Sequence, residues 1–395
     1  MAGSIVFKNF KGINNTKPTG SIGAEYLIEA LNVNISNDGI IRRREGYNKI
    51  YSGTNIHDIW SNGNISLFCE GQHLKLLNKD YTTETLISSL EENLTMRFLS
   101  LNDLIYCTNG STTAVVENRR LRTWGIETPP KPQLSQSNGS LPKGRYQAAL
   151  TYSRKDGQES GASPITIIEL TNGAITVSFK HSSDPTIIKT NLYLTRPNGT
   201  TLYFCQSKET LSGQYDIFEC ADASAIKSHT LTTQALQPPP AGNLIEYYQG
   251  RIYIAAYDFL YYSEPYAYEL FKKHTNWIPF DEPITALASI RNGIFIATAN
   301  NMHFLNGSNP DEFHITTFPD YGAVSGTTVK TTANALGKPT AEDLILYVSK
   351  KGVCAAQEGP NVFSLTDKTY AFAPAPQGSA SLIKNNSSTT YVFTL

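Results

Sequence analysis

Charge is scarce in this chain. Asp, Glu, Lys and Arg make up 17% of its 395 residues and leave a net charge of −1. A protein that grips a polyanion over its whole surface is basic, so any contact with nucleic acid must come from local patches. Helical periodicity is nearly absent; the two short candidates are 25–32 and 266–274. No apolar run reaches the length that spans a bilayer, and the opening "MAGSIVFKNF" has no signal-type apolar core. The chain is therefore expected to fold in cytoplasm. Five cysteines occur without a CxxC pair, each in or beside a strand-like run, and read as buried thiols rather than disulfides.

Chemistry-bearing motifs are missing too. The seven histidines form no HxH or HExxH spacing. There is no G-x-S-x-G elbow and no phosphate-binding loop. "SNDG" and "RKDG" lack the earlier ligands of a calcium loop and read as turns. A glycosidase needs two carboxylates a few ångströms apart, and nothing singles out a pair among Asp216, Glu219, Asp258, Glu264 and Asp281. The expectation is a protein with no catalytic activity, no cofactor and no metal.

Short runs rich in Ile, Val, Tyr, Phe and Thr fill the chain, punctuated by Asn-Gly, Asp-Gly and Lys-Gly. "NISLFC", "RIYIAA", "GIFIAT" and "LILYVS" are examples, and together they predict an all-β fold. Two proline clusters, at 127–134 and 236–242, divide it; consecutive prolines favour stiff extended connectors. The residues between them hold six or seven strand-like runs, as an immunoglobulin-like or fibronectin-III-like sandwich requires. The flanks repeat a strand–turn–strand layout, seen when 55–78 is set beside 283–307. Their spacing is in the range of four-stranded propeller blades. The reading is a β-propeller over 1–128 and 241–395 with a sandwich inserted at 129–240. It would have about six irregular blades, the ring closed by N- and C-terminal strands so that no sheet edge stays bare.

Candidate contact residues follow from charge and aromatic clusters. Arg42, Arg43 and Arg44 follow the turn residues Asn37, Asp38 and Gly39 in "NVNISNDGIIRRREGY". Strand alternation sends Arg42 and Arg44 to one face and Arg43 to the other. The expectation is a polar edge strand, its arginines paired with Glu45 or neighbours, or one face meeting a partner protein or lining a DNA passage. Arg119 with Arg120, Lys272 with Lys273 and Lys350 with Lys351 are basic clusters at predicted turns. Tyr261, Tyr262, Tyr266 and Tyr268 lie in a tyrosine-rich run suited to an interface. Trp60, Trp124 and Trp277 sit near blade ends, as plugs between blades or as stacking platforms.

In order, "EALNV…NDGIIRRREGY", "LNDLIYCTNG", "RTWGIETPPKP", "LPKGRYQAALTYSRKDGQESGAS", "RIYIA…YYSEP", "WIPFDEPITALASIRNGIFIAT" and "FPDYGAVSGT" resemble a family of phage and prophage virion proteins. These are β-propeller tail or neck components, akin to the tail nozzle and packaged-DNA stabilisation proteins of short-tailed phages. The resemblance implies a homo-oligomeric ring, commonly six-fold, below the portal and its adaptor. Such a ring extends the channel, retains packaged genome and passes double-stranded DNA at ejection. It implies a virion location and partners among the adaptor and other tail proteins. Contacts to DNA would be sequence-independent and salt-sensitive. The alternative is a carbohydrate-binding or cleaving receptor-recognition spike with the tryptophans as platforms. A cellular propeller scaffold fits less well, because no blade consensus recurs.

Overall fold

A computed structural model describes residues 9–36, 38–373, 375–385 and 388–395. The opening segment 1–8, Asn37 of the predicted turn and Asn386 of the C-terminal run lie outside them. Within them the chain is all-β. Neither candidate helix forms: Tyr26–Leu27 is a short strand. In the other, Tyr266 has a φ of +56° and donates its amide to the Gly250 carbonyl, 2.7 Å away. A left-handed residue at that point stops a helical turn.

Five four-stranded antiparallel sheets follow one another, each with its strands paired in chain order. Blade one is Ile56–Ser61, Ser66–Glu70, His73–Leu77 and Thr83–Ile87. Blade two is Arg97–Leu101, Leu104–Thr108, Thr113–Glu117 and Arg120–Thr123. Blade three is Leu244–Tyr248, Arg251–Ala256, Phe259–Tyr262 and Trp277–Pro279. Blade four is Ala286–Ile290, Gly293–Ala297, Asn301–Asn306 and His314–Pro319. Blade five is Val329–Thr332, Asp343–Ser349, Gly352–Gln357 and Asn361–Ser364. The first strand of blade three lies against the first strands of blades two and four. This is a β-propeller.

Each pair of neighbouring blades shares a core. Leu67, Cys69 and Leu76 meet Ile105, Cys107 and Val116 between blades one and two. Tyr106, Val115 and Trp124 meet Ile252, Ile254 and Phe271 between two and three. Tyr253 and Leu260 meet Ile294 and Ile296 between three and four, and Phe295 and Phe304 meet Ile345 and Tyr347 between four and five. Middle strands are thus buried on both faces, which explains their unbroken apolar runs. All ten residues of the first two strands of blade four are buried, while the outermost strand of that blade is almost wholly exposed.

The ends of the ring differ from the expected closing blade. The C-terminal strands Ser379–Asn385 and Ser388–Thr394 form a separate hairpin, and Tyr391 packs it on the free face of blade five. The N-terminal strands Val33–Ile35 and Ile41–Arg43 form another, and among the described residues no ladder joins the two. The physical reason is charge. A closing blade is covered on both faces, whereas Arg42 and Arg43 point to opposite sides of their strand, and burying either unpaired guanidinium is costly. The N-terminal segment reaches the end of blade five another way. The Asn15 amide donates to the Thr369 carbonyl at 3.0 Å, and its side chain both accepts from the Ala371 amide (2.8 Å) and donates to the Ala371 carbonyl (3.0 Å).

Between blades two and three the chain leaves for a seven-stranded sandwich. One sheet is Gln133–Leu141, Gly173–Lys180 and Tyr215–Cys220; the other is Thr166–Leu170, Gly144–Arg154, Ile187–Thr195 and Leu202–Glu209. Alternation sends Tyr146, Ala148 and Leu150 inward against Ile175, Val177 and Phe218. The architecture is immunoglobulin-like.

The sandwich is held by a buried ion cluster. Glu269, in the connection between the last two strands of blade three, accepts from Arg122 Nη2 of blade two at 2.8 Å. It also accepts from Arg154 Nη2 of the sandwich at 3.1 Å and from the Gly125 amide at 3.1 Å. All three ionic side chains are at most 10% exposed. Arg122 also pairs with Glu117 at 2.7 Å and Arg154 with Asp156 at 2.8 Å, but those carboxylates are about half exposed, and losing Glu269 removes the buried carboxylate the two guanidinium groups share. Glu269→Gln is expected to cost about 3–5 kcal/mol of folding stability, measured by denaturant unfolding of the full chain; a change within error of wild type would show that water already solvates the cluster.

Candidate functional site

The residues left bare identify the surface most suited to contact. From Ile28 to Ile50 the N-terminal arm exposes a series of large apolar side chains, including Leu31 at 77% and Tyr47 at 95%, and Ile59, on the first strand of blade one, adds another at 76%. This N-terminal arm is tied down at two places. Asn15 clasps the segment after blade five. At the other end Glu70, in blade one, accepts from Tyr51 Oη at 2.9 Å and the Thr54 amide at 2.9 Å, and pairs with Lys75. The arm therefore runs as a strap from the end of blade five to blade one, across the side of the ring that no sixth four-stranded blade fills.

Arg42, Arg43 and Arg44 sit on this strap and are all exposed. Gly39 in their turn has a φ of +75°, and a Cβ there would press on the Asn9 backbone, so glycine is required. Arg43 pairs in register with Val33 and Arg42 with Asn34, and the Arg44 amide donates to the Asn32 carbonyl. Among the described residues none of the three arginines forms an ion pair, so the expected partner Glu45 is not used.

The other basic residues are dispersed. Arg119 reaches back to blade one, 3.2 Å from Glu84 and bonded to Asn78, while Arg120 is exposed. They occupy the turn between the third and fourth strands of blade two. Lys350 and Lys351 occupy the turn between the second and third strands of blade five, which in an up-and-down sheet is at the opposite end. Lys350 donates to Asn300 Oδ1 at 2.6 Å, and the Lys351 ammonium lies 4.1 Å over the Tyr321 ring. Lys272 pairs with Glu264 at 3.7 Å; Lys273 is half-buried, and burial pushes its ammonium below the usual lysine range. The chain does not gather these clusters into a single patch.

The tyrosine run divides between core and surface. Tyr262 is buried between blades three and four, with the Arg251 guanidinium 5.4 Å over its ring, so it is not available as an interface residue within this fold. Tyr261 and Tyr268 pack against the core between blades two and three. Tyr266 alone of the four is fully outside, its ring lying over Gly250. Alternation along Phe259–Tyr262 sends Tyr261 and Tyr262 to opposite covered faces of the blade, while Tyr266 lies beyond the strand in the connection that follows. Among the tryptophans, Trp124 is the expected plug: it is buried and its Nε1 donates to the Tyr268 carbonyl at 3.0 Å. Trp60 stacks on Phe98 across blades one and two. Trp277 is not a plug. It lies exposed on the outer strand of blade three, edge-on to Phe259 at 5.2 Å.

One polar group escaped the sequence reading. His57, Asp58 and Cys69 converge because a bulge with Asp58 at φ +51° turns that side chain inward. Both ring nitrogens of His57 and one carboxylate oxygen of Asp58 already have partners. His57 Nδ1 is 2.7 Å from Asp58 Oδ2 and its Nε2 is 3.1 Å from the Gly71 carbonyl, while Asp58 also accepts from the Met96 amide at 2.8 Å. Burial pushes the Cys69 thiol up to about 12, which keeps it protonated. The group reads as a lock between blades one and two. The glycosidase candidates are dispersed: Asp216 and Glu219 lie in the sandwich, Asp258 and Glu264 in blade three, and Asp281 in the connection to blade four.

No family model and no curated protein matches the sequence. Solved structures with a similar path include Sqt1 of Saccharomyces cerevisiae, at 10% identity, covering 82% of this chain and 77% of that one with a TM-score of 0.32. BBS1N in complex with ARL6DN is 12% identical, covering 88% and 93% with a TM-score of 0.29. A chain from an S. cerevisiae complex of Dbp5 with Nup159 and Gle1 is 10% identical, covering 85% and 74% with a TM-score of 0.32. At these scores the likenesses bear on neither ancestry nor activity.

The clasp at Glu70 makes the strap sensitive to acid. The hydrogen bond from Lys75, with those from Thr54 and Tyr51, holds the Glu70 carboxyl at about 2 rather than the usual 4.5. A carboxylate lowered on folding stabilises the fold above its unfolded pKa, and that contribution drains away as pH falls through the folded value. Wild-type protein should therefore lose strap protection between pH 4.5 and about 2, followed by amide hydrogen exchange of residues 51–54. Glu70→Gln should show the weaker protection already at pH 7 and a flatter acid response over that window.

Proposed function

We propose that this chain is a structural ring subunit of a phage tail or neck, of the nozzle or tail-hub kind, that extends the portal channel, retains packaged DNA and passes it at ejection. The observation that carries this reading is the strap: a run of exposed apolar side chains with three unpaired arginines is a surface that partners normally cover. A second patch supports it. Beneath the C-terminal hairpin lies an apolar groove of about 580 Å³ lined by Tyr370, Phe372, Phe393 and Leu395. Two different apolar patches on one subunit suit a head-to-tail interface, the kind that closes into rings. The low overall charge fits a protein whose surface is largely taken up by neighbours. The basic residues, dispersed on one subunit, would recur around a homo-oligomer and meet a DNA backbone without reading its sequence.

The experiment is a native mass measurement of the chain alone and with its portal-adaptor partners, repeated with Leu31→Asp and Ile59→Asp. A multiple of 43.5 kDa, commonly six-fold in such assemblies, is expected with partners and lost in the double variant. A 43.5 kDa monomer in the presence of those partners would overturn the proposal. The second reading, a carbohydrate-binding spike, is favoured only by exposed Trp277. A glycan array on wild-type and Trp277→Ala protein decides it, with binding lost in the variant as its support.

A further inference from the structure

The two sheets of the sandwich meet at a pair of sulfurs. Cys205 belongs to Leu202–Glu209, an edge strand of the four-stranded sheet, and Cys220 ends Tyr215–Cys220, an edge strand of the three-stranded sheet. Both are buried in the sandwich core, and their Sγ atoms are 3.1 Å apart. The other thiol contacts of this protein are longer: Cys107 to the Ile105 carbonyl is 3.6 Å and Cys354 to the Gly352 carbonyl is 3.8 Å. A disulfide needs roughly 2 Å between sulfurs, so a shift of about 1 Å would join this pair.

The strand is built to allow that shift. In its ladder Leu192 pairs with Gln206 but Tyr193 pairs with Phe204, so Cys205 is the extra residue of a bulge. A bulged residue is unpaired and can re-aim its side chain without breaking the sheet. Gln206 Nε2 points at the partner sulfur, donating to the Glu219 carbonyl at 3.0 Å and lying 3.6 Å from Cys220 Sγ. The hydrogen bond between the thiols pulls Cys220 toward its thiolate and holds Cys205 protonated. Cys69 and Cys354 have no such arrangement; burial pushes them up to about 12 and about 11.

We propose that Cys205 and Cys220 are a covalent modification site, closing to a disulfide that links the two sheet edges when the chain meets a peroxide-class oxidant. The Cys220 thiolate attacks one peroxide oxygen, the O–O bond breaks, and hydroxide leaves to become water with the thiol proton. Cys205 then attacks the sulfenic sulfur; the S–S bond forms, the S–O bond breaks, and the hydroxyl leaves as water with the Cys205 proton. Two thiols lose two electrons and one peroxide yields two waters. The link closes a loop around residues 206–219, which restricts the unfolded chain. This inference does not depend on the ring reading.

The test treats the full chain with hydrogen peroxide, alkylates it without reductant and maps it by mass spectrometry. The expected result is a mass lower by two hydrogens, a peptide joining Cys205 to Cys220, and reversal by dithiothreitol. The unfolding midpoint of the sandwich should rise on the order of 10 °C. Cys205→Ser and Cys220→Ser should each abolish the link. Because either variant sits in a core, the wild-type map alone is decisive. Free thiols at both positions, sulfinic or sulfonic acids in place of the link, or a link between other cysteines would overturn the proposal.

Discussion

A propeller blade has to be covered on both faces, and most of what is unusual in this chain follows from that constraint. Middle strands such as Gly293–Ala297 and Asp343–Ser349 cannot alternate apolar with polar residues, because neither side faces water. The same constraint decides where the charged residues go. Among the described residues many arginines and lysines lie at turns, on outer strands and on the N-terminal strap, and the most buried group of charges is one in which opposite signs meet; Arg97, on the inner strand of blade two, is half-buried, its Nε wholly so, without an ion pair.

The Glu269 cluster is the main instance of such neutralisation. Arg122, Arg154 and Glu269 come from blade two, the sandwich and blade three; Glu269 is the carboxylate the two arginines share, while Glu117 and Asp156 give each arginine a second, more exposed partner. The prolines on either side make the connectors stiff, but stiffness alone does not set an angle. The shared carboxylate does, together with the reciprocal backbone bonds between Gln237 and Phe271 at 2.9 Å. The sandwich is therefore a fixed part of the protein's surface. In an assembly it would present a defined face, whether it decorates the ring or bridges neighbours.

The strap is the counterpart of that fixed part. It crosses the side of the ring where a sixth full blade would stand, and hydrogen bonds hold it at Asn15 and Glu70 while its apolar side chains face outward. In the proposed ring, a segment that spans this side of the fold and also offers bare Leu31 and Tyr47 would link the shape of one copy to contact with another. The arginine triplet lies on this strap, exposed and, among the described residues, without an ion pair.

Much of the architecture was legible along the chain because the relevant signals are local. Turn dipeptides, strand-length apolar runs and two proline clusters mark the blades and the insertion, since backbone conformation and two-sided burial act on neighbouring residues. Alternation also placed Arg42 and Arg43 on opposite sides. Contacts between residues far apart in sequence were not legible. The pairing of Glu269 with Arg122 and Arg154, the bulge that turns Asp58 toward His57, and the approach of Cys205 to Cys220 all depend on which faces meet. So does the burial of Tyr262 beside an exposed Tyr266, and so does the failure of the two terminal hairpins to join. Composition and periodicity determined that this protein is a propeller carrying a sandwich. Only tertiary packing decided which charges are shared, which aromatics are covered and which surface is left for a partner, because those outcomes depend on distances in space that linear order does not encode.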